Sequence, residues 1–238
     1  MPASITFVSP LRFLCAGLLL TATTVDAADA PGMEAMTKRV APCMACHGKE
    51  GRAAPDGYYP RIAGKPAAYL SNQLANFRDG RRRHYPLMAY TVQHLSDAYL
   101  QEIANFFAQQ QLPYPPPLAP AAAPATLERG RALVIQGDGE RRIPACVACH
   151  GSALTGLAPS IPGLLGLPRD YINAQFGAWR TGKRSAAAPD CMAQVVSQLT
   201  PEDIGAVSSW LAAQPVPDDS AARPATGQLP LTCGSFPQ

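Results

Sequence analysis

The segment Cys43-Met44-Ala45-Cys46-His47 recurs in the second half of the chain as Cys146-Val147-Ala148-Cys149-His150. Two cysteines separated by two residues and followed directly by histidine form the attachment signal of a c-type haem. Two thiols three residues apart on one helical turn can each form a thioether with one vinyl group of a single porphyrin, and the histidine then lies beneath the iron. We therefore predict two covalently bound haem c groups. Their predicted protein ligands are Cys43, Cys46, Cys146 and Cys149 for the porphyrin, with His47 and His150 on the iron.

Two other chemistries use a Cys-x-x-Cys pair, namely a redox dithiol and half of a zinc site. A thioredoxin-like dithiol belongs in a βαβ unit, and the sequence lacks the alternating pattern of strands. A zinc site would bring two pairs together with imidazoles at zinc spacing. Here each pair lies in its own segment, far from the other along the chain. Haem attachment is therefore the favoured interpretation.

The repeat extends beyond the haem motifs. Pro60, Ile62, Gly64, Pro66 and Tyr69 recur at nearly constant spacing as Pro162, Leu164, Gly166, Pro168 and Tyr171. Met88 recurs as Met192, and Leu95-Ser96 as Leu199-Thr200. Several kinds of landmark in one order at nearly one spacing indicate a tandem duplication.

Each half has apolar residues at helical spacing, and Ser96 and Thr200 are predicted helix N-caps. The predicted fold class is therefore all-α, with two tandem helical haem domains joined by a proline-rich linker. The linker is predicted to be a semi-rigid spacer or a strap packed along both domains. The predicted boundaries are a first domain at 28–111, a linker at 112–125, a second domain at 126–213 and a tail at 214–238.

The composition excludes several classes of protein. Apolar residues make up 47% of the chain and charged residues 16%, which argues against wholesale disorder. The net charge of +3 argues against a nucleic-acid partner. No apolar run reaches the roughly 18 residues of a membrane-spanning helix.

Residues 1–27 have the order of a secretory signal peptide. Arg12 precedes an apolar run at 13–20, and small residues follow up to Ala27. Cleavage after Ala27 would export the chain to the periplasm and remove Cys15, leaving the other six cysteines in an oxidising compartment. The alternative is a short membrane anchor that is retained.

Methionine is the predicted second axial ligand of each iron. Met88 is the only methionine between the two motifs, and Met192 is the only one after the second. They lie at matching positions, whereas the competing distal ligands His84 and His94 have no counterparts in the second half. A methionine ligand raises the reduction potential relative to two imidazoles. Carbonyls at Pro60 and Pro162 are candidates to accept a hydrogen bond from the proximal imidazoles.

At these residues the sequence resembles the dihaem cytochrome c4 family, in which one periplasmic chain holds two class I cytochrome c domains. The resemblance rests on the first haem motif and on four further stretches: Tyr59–Gly64, Tyr69–Leu74, Phe77–Arg82, and Met88 ahead of Leu95-Ser96-Asp97. It implies two helical domains related by a pseudo-twofold axis, with haem propionate edges near one another. It also implies electron transfer between membrane-bound quinol oxidation and a terminal oxidase or another acceptor.

The chain departs from the family pattern at the loop 161–166, at the insertion-like stretch 137–142 and in the long proline-rich tail. Haem attachment uses four of the six exported cysteines, so Cys191 and Cys233 remain. We predict that they form a disulfide by which the tail folds back and holds the loop of Met192.

The basic run Arg81-Arg82-Arg83 is interpreted as a solvated loop, as a partner for haem propionates, or as a docking site for an acidic protein. The leading functional interpretation is a single-electron carrier that is not an enzyme. Its expected partners are redox proteins: a quinol-oxidising complex, an oxidase or a dehydrogenase, any of which could be membrane-associated. The alternatives are an electron-accepting subunit of a dehydrogenase complex, in which the tail would be an interaction strap, and a dihaem peroxidase-like enzyme.

Overall fold

The computed structural model describes Met1 and residues 33–54, 57–117, 119 and 122–236. The predicted signal peptide, 1–27, lies outside the described residues apart from Met1. The helices of the first half are α1 (Met33–Arg39), α2 (Ala41–His47), α3 (Ala67–Arg78), α4 (Pro86–Val92) and α5 (Asp97–Ala108). Those of the second half are α6 (Pro124–Ile135), α7 (Val147–His150), α8 (Arg169–Arg180), α9 (Cys191–Gln198) and α10 (Pro201–Ala212). The tandem helical fold class is confirmed.

The core of the first half forms where α5 packs against α3 and α1. Ser96 caps α5 as predicted, because its side chain accepts a hydrogen bond from the backbone of Tyr99. A buried apolar cluster fills the space between these helices, formed by Met36, Val40, Leu70, Ile103, Phe106 and Phe107. This cluster supports α2, whose last residue is the predicted iron ligand His47.

The core of the second half forms where α6 crosses α10. Their close approach depends on Gly130, since a Cβ atom there would lie 2.2 Å from the backbone oxygen of Ala206. Thr200 and Asp203 form a capping box at the start of α10. The predicted cap is thus confirmed, and it fixes the helix that closes the second core.

Among the described residues of the second half three short strands occur, and the sequence pattern did not predict them. They are β1 (Gly156–Ala158), β2 (Ile161–Pro162) and β3 (Arg223–Pro224), in the order β2-β1-β3. β1 pairs antiparallel with β2 and parallel with β3. Strands of two or three residues are too short to show alternation. β3 belongs to the tail, so this small sheet ties the tail to the second half.

The proline-rich segment packs as a strap against both halves. Arg61 of the first half donates hydrogen bonds to the backbone oxygens of Leu112 and Pro113, and its guanidinium lies 3.8 Å from the ring centre of Tyr114. On the other side, a Cβ atom at Gly166 would lie 2.4 Å from that ring. Of the two predicted forms of the linker, the structure shows the strap.

Among the described residues, no helix has both the length and the apolar character needed to cross a bilayer.

Candidate haem sites

Both haem motifs face one continuous cavity of about 540 Å³ that runs through the two halves. The lining is mostly apolar. It includes all eight predicted ligands: Cys43, Cys46, His47, Met88, Cys146, Cys149, His150 and Met192. Residues separated by a hundred positions in the sequence are thus brought to a common space by the two packed domains.

The first predicted iron ligand, His47, is buried at the end of α2. Its Nδ1 lies 2.8 Å from the backbone oxygen of Pro60. A carbonyl can only accept, so Nδ1 carries the proton and Nε2 is the nitrogen available to a metal. Burial lowers the pKa of His47, which keeps the imidazole neutral, the form that ligates iron.

The second site repeats this arrangement. His150 ends α7, is 7% exposed, and places Nδ1 2.8 Å from the backbone oxygen of Pro162. Burial again lowers the pKa of the imidazole. Both predicted carbonyl partners are therefore confirmed, and the duplication extends to the orientation of the histidine rings.

The remaining predicted ligands are available in chemically suitable forms. The four motif cysteines are free thiols, and none is paired in a disulfide. Met88 lies on α4 and Met192 on α9, and both line the cavity. The competing ligands His84 and His94 are not among the described residues that line this cavity. The Nε2 atom of His84 lies 3.3 Å from the Oε1 atom of Gln175, and His94 is exposed.

A symmetric polar cluster lies between the two halves. Arg82 and Arg184 each donate hydrogen bonds to the side-chain oxygens of both Gln73 and Gln175, at 2.7–3.2 Å. The two arginines also face each other across an antiparallel bridge. Each guanidinium lies over an aromatic ring of its own half, Phe77 for Arg82 and Trp179 for Arg184, at 4.3 and 3.7 Å.

This cluster corrects the interpretation of Arg82 as part of a solvated basic loop. Arg82 is 4% exposed and its side chain faces the other domain, so it cannot dock an external protein. The sequence analysis did not identify Gln73, Gln175 or Arg184. The signal was present in the repeat, because Gly80-Arg81-Arg82 recurs as Gly182-Lys183-Arg184.

The buried cations fit an anionic group in the cavity. Arg82, Arg184 and Lys65 are all buried and line it, and in the described part of the chain none of them forms an ion pair with a carboxylate. Burial and the neighbouring Arg82 lower the pKa of Arg184 to about 10. The Nε atom of Arg82 is buried without a hydrogen-bond partner. Carboxylates at the edge of a haem would supply the missing acceptors and negative charge.

The tail reaches the second site. Cys191 and Cys233 form a disulfide, which confirms the predicted pairing. The backbone of Gly234 donates to the oxygen of Pro189 at 2.9 Å. The backbone oxygen of Ser235 accepts hydrogen bonds from Asn72 of the first half and from Ser160 of the second, at 3.2 and 2.6 Å. The end of the tail thus fastens the methionine helix α9 and bridges the two halves.

Two helical domains, each with a paired-thiol motif, a neutral buried imidazole and a methionine on one cavity, define a two-domain c-type cytochrome. No family model matches the chain. The chain is 38% identical over 185 residues to the thiosulfate dehydrogenase electron acceptor of Thiomonas intermedia, covering 76% of this chain and 82% of the relative. It is 32% identical to cytochrome c4 of Pseudomonas aeruginosa, covering 83% of this chain and 96% of that protein.

The fold is also found in a solved structure of this type. Reduced recombinant cytochrome c4 from Pseudomonas stutzeri superimposes with a TM-score of 0.65 at 30% identity, over 77% of this chain and 99% of that one. The chain belongs to the dihaem cytochrome c4 family. It carries two covalently bound haem c groups and acts as an electron-transfer protein rather than an enzyme, with other redox proteins as its partners.

Proposed function

We propose that Cys43 and Cys46 bind one haem c covalently and that Cys146 and Cys149 bind the other. The iron ligands are His47 with Met88 and His150 with Met192. The support is the placement of all eight side chains on one cavity, with both histidines oriented by proline carbonyls. The domain boundaries proposed with this assignment are 28–111 and 126–213, flanking a linker at 112–125, with a tail at 214–238.

Each haem, when bound, supplies an iron that gains and loses one electron. The residues of the chain control the surroundings of that iron. The hydrogen bonds to Pro60 and Pro162 hold the imidazole rings and raise their basicity. The apolar lining excludes water, and the guanidiniums of Arg82 and Arg184 place positive charge between the two sites. With one histidine and one methionine available to hold each iron, a bound haem would leave no open position for a substrate.

The electron donor proposed for this chain is a thiosulfate dehydrogenase, and the proposed location is the periplasm after cleavage of the signal peptide at Ala27. The donor is supported by the 38% identity to an electron acceptor of that enzyme, compared with 32% to a cytochrome c4. The location is supported by covalent haem attachment together with a disulfide, which persists in oxidising compartments.

The donor is tested by mixing the oxidised, haem-loaded protein with thiosulfate and a small amount of thiosulfate dehydrogenase. The visible spectrum should show reduction of both haems, at a rate that saturates as the concentration of the cytochrome increases. Samples without the enzyme or without thiosulfate should remain oxidised. If only ascorbate reduces the protein, this donor assignment is wrong.

The second candidate is a carrier between a quinol-oxidising complex and a terminal oxidase. It is favoured by the match to cytochrome c4 over 96% of that relative. In this case a quinol should reduce the protein in the presence of membranes that contain the complex, and thiosulfate with its dehydrogenase should not.

Mass analysis of the exported protein would test the proposed cleavage of the signal peptide after Ala27 in the same preparation.

A further inference from the structure

The two methionine helices differ in what covers them. In α9, Cys191 precedes Met192 and is bonded to the tail, and Gly234 lies so close that a Cβ atom there would be 2.2 Å from the oxygen of Ala188. In α4 the residue that precedes Met88 is Leu87, which is 58% exposed. The tail therefore covers the start of the second methionine helix, whereas the start of the first is open to solvent.

The open helix presents an apolar surface, which we name the α4 face and define as Tyr58, Leu87 and Tyr90. Leu87 and Tyr90 are three residues apart on one side of α4, and Tyr90 is 72% exposed. Tyr58 is 59% exposed, and its ring centre lies 5.9 Å from that of Tyr85, the N-cap residue of the same helix. Tyr58 and Leu87 also line the haem cavity, so the α4 face lies at its mouth.

This concentration of apolar side chains is unusual for the molecule. The large hydrophobic residues exposed in the described part of the chain are Met1, Tyr58, Leu87, Tyr90 and Ile135, and three of these five form the α4 face. Scattered exposed apolar residues need no explanation, but a cluster beside a cofactor cavity is typical of a protein-binding surface.

The charged side chains around α4 are mostly basic. The carboxylates that flank it among the described residues, Asp79 and Asp97, both pair with Arg78, at 2.9 and 2.7 Å. Arg83, which lies three residues before the helix, and Lys183 are both exposed, and the backbone of Arg83 donates to the oxygen of Lys183 at 2.7 Å. A partner with acidic groups around an apolar centre would complement both features.

We propose that the α4 face docks the electron-donating protein, a redox protein whose surface has an apolar centre and an acidic rim, and that electrons enter this cytochrome through its first domain. In each encounter the partner loses one electron and the first domain gains one, with no bond made or broken. The proposal rests on the proposed role as an electron acceptor, and it adds which domain is the entry point. We assign entry to the first domain because the tail covers the corresponding start of the methionine helix in the second domain.

The test is stopped-flow reduction of the haem-loaded protein by pre-reduced thiosulfate dehydrogenase and, separately, by a quinol-oxidising cytochrome complex. The variants are Leu87→Asn combined with Tyr90→Ser, and Arg83→Gln. The matched control is Ile135→Ser, which removes an exposed apolar side chain from α6. Reduction by ascorbate and the far-red methionine–iron absorption band show whether each variant keeps intact haem sites.

The double variant should lower the second-order rate constant with the natural donor about tenfold, because exposed apolar anchors dominate such interfaces. The Ile135→Ser rate should stay within about twofold of wild type. Arg83→Gln should weaken the dependence of the rate on ionic strength. Arg83→Gln and Ile135→Ser should react with ascorbate at the wild-type rate. For the double variant the loss with the natural donor should exceed any change with ascorbate, because Leu87 also lines the haem cavity.

The use of two donors distinguishes a wrong donor assignment from a wrong docking surface. If thiosulfate dehydrogenase fails to reduce even the wild type, the donor assignment falls, and the quinol-oxidising complex alone decides the docking surface. Wild-type rates for the double variant with every donor that reduces the wild type would overturn the α4 face. An equal loss in Ile135→Ser would overturn it as well.

Discussion

Replacement of Asp203 by asparagine should weaken the second domain without altering the haem ligands. The residue is 4% exposed. Its Oδ1 accepts a hydrogen bond from Arg129 at 2.9 Å, and its Oδ2 accepts one from Arg141 at 2.7 Å. Oδ2 also accepts from the backbone of Thr200 at 3.2 Å. One carboxylate therefore joins α6, the insertion-like stretch 137–142 and the start of α10.

Asparagine keeps the size of the side chain but removes its charge. A hydrogen bond to a charged group contributes about 1.5–3 kcal/mol to stability. The side chains of Arg129 and Arg141 are 41% and 35% exposed, so solvent screening reduces the contribution of each. We expect the free energy of unfolding of the second domain to fall by about 3 kcal/mol. With a denaturant slope of about 3 kcal/mol/M in guanidinium chloride, the midpoint should fall by about 1 M.

Tryptophan fluorescence measures this domain selectively, because the two tryptophans of the chain, Trp179 and Trp210, both lie in the second half. The matched control is Asp97→Asn at the start of α5, where the carboxylate is 87% exposed and pairs with Arg78. An exposed pair contributes about 0–1 kcal/mol, so the control should shift the midpoint by about 0.3 M at most.

The difference between wild type and Asp203→Asn should depend on pH. Burial acts to raise the pKa of Asp203, but the hydrogen bonds from Arg141, Thr200 and Arg129 outweigh it and lower the pKa. A depressed folded-state pKa stabilises the protein above the unfolded-state value of about 3.9, and this stabilisation is lost as the pH falls through the folded-state value. The difference should be constant from pH 5 to 7 and shrink below pH 4. A difference that persists at low pH, or an equal effect of Asp97→Asn, would refute the reasoning.

Three further predictions concern the haem sites and the packing. Met88→Ala and Met192→Ala should each remove about half of the far-red methionine–iron absorption band, because each methionine is proposed to ligate one iron. An unchanged band in either variant would contradict the assignment of that methionine as a ligand. Arg184→Gln should lower at least one haem reduction potential by tens of millivolts, because a buried positive charge opposes oxidation of a nearby iron. A spectroelectrochemical titration measures this change. Unchanged potentials would show that the guanidinium does not act on either haem. Gly130→Ala should lower the free energy of unfolding of the second domain by about 1–3 kcal/mol, because the added methyl group collides with the backbone of Ala206. The fluorescence assay measures this change. A wild-type midpoint would show that α6 and α10 can move apart at no cost.

Much of the haem chemistry could be predicted because it depends on short-range spacing. Cys-x-x-Cys-His places two thiols and an imidazole within one helical turn, and no distant residue is needed to recognise it. The matching positions of Met88 and Met192 were visible because the chain is duplicated. The pairing of Cys191 with Cys233 was predicted by counting, because haem attachment accounts for the other exported cysteines. The structure confirms this disulfide.

The contacts between the halves could not be predicted in this way. Gln175 and Arg82 are 93 positions apart in sequence, and only the packing of two domains brings their side chains to 2.7 Å. Arg82 illustrates the problem. In the sequence it is one of three successive arginines, and its burial depends on an antiparallel bridge to Arg184 in the other domain.

The sequence by itself determined the cofactor, the duplication and the helical class, because covalent attachment and helix periodicity are set by residues close together in the chain. The tertiary structure alone decided which polar groups lie between the domains, whether the linker is a spacer or a strap, and which methionine helix is covered. These features depend on the path of the tail and on the orientation of the two domains. Both are set by the summed burial of distant surfaces, which no local pattern records.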